Sequence, residues 1–223
     1  MAMTLAELGR VCQVVAQFER VIVPTYPLVG RRDLYYGVNK AGRATAGHSA
    51  HRSTLLEEKV TIFDAVLVLA TFLGSLVAGL LFAFVVVVMP GIRSLDDGSF
   101  IRAFQAIDRV IQNNQPLFVF VWVGSVLALV AAAVLGMRTL SGADRLLIIV
   151  AVLLYLLCVQ LPTATINIPL NNEIQKLDPD TMNETTRKRA REAFEPRWNR
   201  WNAFRTVCAS IVSLVLMLLL LRV

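Results

Sequence analysis

Histidine is almost missing from this chain. His48 and His51 are the only two, and both precede the first long apolar run. Bis-histidine haem ligation and histidine-based metal centres are therefore excluded from the apolar part. No Ser-His or Cys-His pair exists there to make a nucleophile. The His48-x-x-His51 spacing could hold a metal, but it lies in a glycine-punctuated linker and reads as incidental. Cysteine is scarce too. Cys12, Cys158 and Cys208 share no metal-ligand spacing and make no disulfide framework. There is no glycine-rich phosphate loop, no nucleic-acid motif and no paired carboxylate inside an apolar run. Asp64 and Asp108 flank such runs and read as solvated. No signal-peptide pattern opens the sequence, because Arg10, Gln13 and Gln17 interrupt the run it needs.

Charge is also in short supply. Only 17% of the 223 residues are charged and 56% are hydrophobic, which places the chain among membrane proteins. The net charge of +6 fits loops that meet anionic headgroups better than nucleic acid. A span needs about 20 predominantly apolar residues. Four runs qualify, over roughly 63–89, 116–136, 145–170 and 200–221. The expected fold is an all-α integral membrane protein, a four-transmembrane-helix bundle, multi-pass in the cell membrane. Residues 1–60 form an N-terminal extension, an amphipathic helix followed by a linker, and 61–223 form the transmembrane domain. The lipid bilayer is the expected partner.

Several local signals refine this outline. Thr71, Ser75, Gly79 and Ala83 recur every four residues in span 1, as do Gly124, Ala128, Ala132 and Gly136 in span 2. Small residues at that spacing let helices approach closely in lipid. Pro90-Gly91 is expected to stop the first helix. A short interfacial helix should follow between spans 1 and 2, with Phe100, Phe104, Ile107 and Ile111 on its apolar face and Arg102, Gln105, Arg109 and Gln112 opposite. Residues 178–197, with Arg187-Lys-Arg-Ala-Arg191, read as a solvated helix near headgroups.

The unusual residues gather near the end of span 3. Gln160, Thr163, Asn167 and Asn171 fall within a sector of about 80° on one helix face. Amides at that depth cost free energy unless something pairs with them, so they should face the bundle interior. Span 4 opens with Trp198, Trp201, Asn202 and Arg205 on a shared face. Two readings fit that face: an interfacial aromatic belt with a snorkelling arginine, or the wall of a pocket. Alternation of the helices sets Phe82, Asn113, the span 3 amides and the start of span 4 in one leaflet. A pocket for a lipophilic small molecule is expected there; the alternative is a purely structural network in which Arg205 donates to the Asn167 and Asn171 carbonyls and fixes span 3 against span 4. An enzyme built from these residues would need no bound metal or organic cofactor. It would position a lipophilic substrate, stabilise an oxyanion, and let the substrate itself supply electrons to O2.

Gly79-x-x-Phe82-x-Phe84 through Met89-Pro90, Gln105-Ala-Ile107 with Asn113, Asn167-Ile-Pro-Leu-Asn171 and Trp198-x-x-Trp201-Asn202-x-x-Arg205 together resemble the anthrone-oxygenase-like family of small four-span membrane proteins. The likeness covers roughly residues 62–221. It implies cofactor-free oxygenation of anthrones to anthraquinones, as in the family's fungal pathway members. On that reading Arg205 and Asn167 are catalytic and polarise a developing enolate. Trp198 and Trp201 stack the rings, and Asn171 and Asn202 orient them, with Phe82 and Asn113 completing the substrate site. The alternative is a non-enzymatic membrane protein, either a lipid- or quinone-binding module or an accessory subunit.

Overall fold

The computed structural model of the protein describes residues 61–223. The amphipathic segment, the His48/His51 linker and the boundary at residue 60 lie outside the described residues. Within them the chain is all helical: α1 Ile62–Arg93, α2 Asp97–Gln112, α3 Pro116–Thr139, α4 Gly142–Gln175 and α5 Glu184–Leu220. α1, α3, α4 and α5 are long and apolar enough to cross a membrane. This is an all-α, multi-pass membrane bundle.

Four of the five helices start on a side-chain cap, α4 being the exception. Thr61 Oγ1 accepts from the Asp64 N–H while the Asp64 carboxylate accepts from the Thr61 N–H, a reciprocal box that satisfies two free donors. Asp96 accepts from the Ser99 N–H at the start of α2, and its bonds with Ser99 hold its carboxyl below the usual range. Gln115 caps α3 ahead of Pro116, whose fixed φ suits a first helical position.

α1 does not stop at Pro90, as the sequence suggests, but runs on to Arg93. Proline lacks an N–H, and its ring collides with the carbonyl four residues back. A widened π turn at Phe84–Val88 eases that collision. α4 repeats the device twice, with π turns at Leu156–Gln160 and Thr163–Asn167, each ending two residues before a proline, Pro162 and Pro169.

Span 4 also departs from expectation. The charged segment and the apolar span are one 37-residue helix with Pro196 inside it. The outer part is not simply solvated. Phe194 is buried against Phe100 and Phe104, and Arg191 lies over the Phe100 ring while bonding the Leu95 and Arg93 carbonyls and Asp97. α2 likewise turns its apolar stripe into the protein. Its Gln105, expected on the wet face, is buried and donates to the Ile174 and Leu177 carbonyls, which end α4.

α1 packs against α3 and α5, and α4 closes on α5. The small residues of α3 serve this contact: Ala128, Ala132 and Gly136 are buried. A Cβ at Gly136 would lie 3.2 Å from the Phe63 ring, a tight contact that the ring would have to yield to by a few tenths of an ångström. The α1 stripe is only partly used, since Gly79 faces outward. One core cluster, with Leu67, Leu73, Tyr155, Val212 and Leu216, fills one end of the bundle. A second, with Phe100, Phe104, Ile174, Phe194 and Trp198, fills the other.

Candidate functional site

A cavity of about 190 Å³ is lined by side chains from all five helices. Leu80, Leu81 and Phe84 come from α1; Phe104, Asp108 and Ile111 from α2; Phe118 and Trp122 from α3. Thr163, Asn167, Ile168 and Asn171 come from α4, and Trp198, Asn202 and Arg205 from α5. The wall is apolar and aromatic with a few convergent polar groups, the usual make-up of a small-molecule site.

The polar groups form two separate networks. At one pole Arg205, 4% exposed, donates from Nη1 to Thr163 Oγ1 at 2.7 Å and from Nη2 to Asn202 Oδ1 at 3.0 Å. Thr163 Oγ1 in turn donates to the Val159 carbonyl at 2.6 Å, within the first widened turn of α4. Asn202 Nδ2 donates to the Leu81 carbonyl at 3.2 Å. Thus Arg205 is held by neutral acceptors, not by Asn167 and Asn171 as the sequence suggests. Its Nε has no partner. At the other pole Asp108, 3% exposed, accepts from Asn171 Nδ2 at 2.7 Å, Gln112 Nε2 at 2.6 Å and Gln175 Nε2 at 2.9 Å. Asn171 Oδ1 in turn accepts from the Trp198 indole N–H at 2.8 Å.

Between the poles sits Asn167, 2% exposed, with neither its oxygen nor its nitrogen hydrogen-bonded. A buried amide in this state loses the full cost of leaving water. Five salt bridges occur among the described residues, and none involves Arg205 or Asp108. The cavity therefore holds one buried cation and one buried carboxylate, each bonded only to neutral groups.

Of the residues picked from sequence, Arg205, Asn167, Asn171, Trp198 and Asn202 meet at this cavity. Phe82 does not. It is 54% exposed, and Phe84 takes the inward position. Asn113 is exposed and ends α2, just before Asn114 adopts a positive φ that asparagine tolerates. Trp201 packs edge-on against Phe204, away from the cavity. Gln160 turns to α3, where it accepts from the Trp122 indole.

Sequence reasoning missed Asp108, Phe104 and Trp122. Asp108 is buried, not solvated. The available signal was that Gln105, Asp108 and Gln112 recur at i, i+3 and i+7 beside the apolar stripe of α2. For Trp122 the signal was a lone indole donor inside a span, which must find an acceptor.

No curated protein and no solved structure matches the chain. A family model described as Anthrone oxygenase matches residues 104–215, half of the chain. That stretch begins within α2 and carries twelve of the cavity's fifteen lining residues, including both charged poles. The chain is a multi-pass membrane protein that belongs to the anthrone oxygenase family.

Proposed function

We propose that the cavity binds a lipophilic, electron-rich cyclic ketone or phenol and that the protein oxidises it with O2. For an anthrone, the ring methylene becomes a carbonyl. One oxygen atom of O2 enters the product and the other leaves as water. The substrate supplies the electrons once it is converted to its enolate, so the protein's task is to make and hold that anion.

The observation that supports this most directly is Arg205. A buried guanidinium with only neutral partners is costly, and an anion in the cavity would offset that cost. Arg205 Nε and the Asn167 amide nitrogen are buried and unpartnered on residues that line the cavity, so a small side-chain shift would turn both donors to an enolate oxygen. Preorganised donors of this kind are worth most where charge develops in a water-poor site. Trp198, Trp122 and Phe104 offer flat faces for the rings. The reading sets the protein in the cell membrane, into which such a substrate partitions.

The test is incubation of the purified protein in lipid nanodiscs with an anthrone under isotopically labelled O2. Wild type should form anthraquinone bearing one labelled oxygen, above the uncatalysed rate. Arg205→Ala should lower that rate roughly 100- to 1,000-fold. If wild type gives no product above background, the oxygenase reading fails, and a lipid- or quinone-binding module becomes the better account. Equal rates in the two proteins would remove Arg205 from the chemistry.

A further inference from the structure

We infer that Asp108 is the base that ionises the substrate. This rests on the oxygenase reading above and deepens it.

The first ground is placement. Asp108 is buried, yet it lines the cavity. Its oxygens accept from Asn171, Gln112 and Gln175, three amides on two helices. A carboxylate can accept about four hydrogen bonds, so one position remains for a proton. The amides fix the group's aim, and no cation pairs with it among the described residues.

The second ground is the separation of the poles. Arg205 is bonded to Thr163 and Asp108 to Asn171, both on α4. Eight residues of helix span about 12 Å, and less across a widened turn. A hydrogen bond at each end takes about 3 Å. The poles thus attach about two helical turns apart along α4, which leaves room for a six-membered ring, whose carbonyl oxygen and opposite carbon lie about 4 Å apart by ordinary bond lengths.

The step then balances as follows. The C–H bond opposite the carbonyl breaks, and its proton goes to Asp108. The electron pair passes through the ring to the carbonyl oxygen, which faces Arg205 and Asn167. O2 adds at the ionised carbon, and the peroxide takes the proton back. Asp108 removes the second hydrogen of that carbon as a proton, the O–O bond breaks, and the departing hydroxide takes this proton and leaves as water. Two of the three bonds, from Asn171 and Gln175, also tie α2 to α4, so the experiment must separate a base from a pin.

Hydrogen–deuterium exchange at the reactive carbon of anthrone, followed without O2 in deuterated buffer, isolates the proton transfer. The full-length protein in nanodiscs should accelerate exchange above buffer. Asp108→Asn should lose that acceleration roughly 100-fold or more, and added formate should restore part of it to Asp108→Ala. Anthraquinone binding, read from the fluorescence of the cavity tryptophans, reports whether each variant keeps its pocket. Exchange by Asp108→Asn at the wild-type rate overturns the proposal. So does an Asp108→Ala that binds anthraquinone normally but gains nothing from formate. If either variant loses anthraquinone binding and formate restores no exchange, Asp108 is a pin and the proposal is likewise overturned. A wild type that oxidises anthrone without accelerating exchange overturns it and leaves the oxygenase reading intact. Exchange without oxidation supports the base and removes the oxygenase.

Discussion

Replacing Arg205 with methionine should leave the empty protein as stable as wild type, or more so, while removing its affinity for anions. The guanidinium makes two hydrogen bonds, to Thr163 and Asn202. Bonds to charged groups contribute about 1.5–3 kcal/mol each, so their loss costs about 3–6 kcal/mol. Thr163 keeps its bond to the Val159 carbonyl, so only Asn202 Oδ1 is orphaned. Against this stands the desolvation of a charge that is 4% exposed and has no counter-ion, several kcal/mol that methionine does not bear. The two nearly cancel. Thermal unfolding in one detergent reads the balance, at about 2–4 °C per kcal/mol for a chain of this size. A phenolate at about 100 times its wild-type Kd should then add about 2.7 kcal/mol to wild type and almost nothing to Arg205→Met. A fall of 10 °C or more in the ligand-free variant would refute the reasoning, because it would make the guanidinium a strut and not a waiting charge.

Three further outcomes follow from the geometry. Pro169→Ala restores an N–H and relieves the collision that widens Thr163–Asn167. The turn should tighten and swing Asn167 by about 100°, weakening anthraquinone binding without loss of thermal stability. Gln105→Leu uncaps the Ile174 and Leu177 carbonyls and should cost about 2 kcal/mol in chemical unfolding, whereas an unchanged midpoint would show those carbonyls wetted by other means. Trp122→Phe strands Gln160, whose Nε2 already lacks a partner, and should lower stability by about 1–2 kcal/mol, with equal stability arguing that Gln160 finds water.

The four spans and their order were legible because an apolar run of that length has few other fates. The amide stripe was legible for the opposite reason, since Asn167 and Asn171 are out of place in such a run and must turn inward. Arg205 and Asn202 followed from their spacing with Trp198. Phe82 and Phe84 could not be told apart, because in Leu80–Val88 every position is apolar and periodicity carries no information. Trp201 shares the approximate face of Trp198 but sits at its edge, where packing against Phe204 decides its direction. The direction of Asp108 depends on Asn171 and Gln175, more than sixty residues away, so no local pattern could fix it. The widened turns were hinted at by three prolines inside apolar helices, though proline alone more often signals a stop.

That all five helices wall the cavity has a consequence for biogenesis. Chains emerge from their N-terminal end, so Asp108 is made well before the amides that will satisfy it, and Arg205 comes on the final helix. Asp108 must wait at the membrane surface until Asn171 and Gln175 are threaded, whereas Arg205 arrives after its acceptor Thr163. Occupancy by a ligand thus reports that insertion has finished, and a chain cut short before α5 has neither the cation nor the room to hold one.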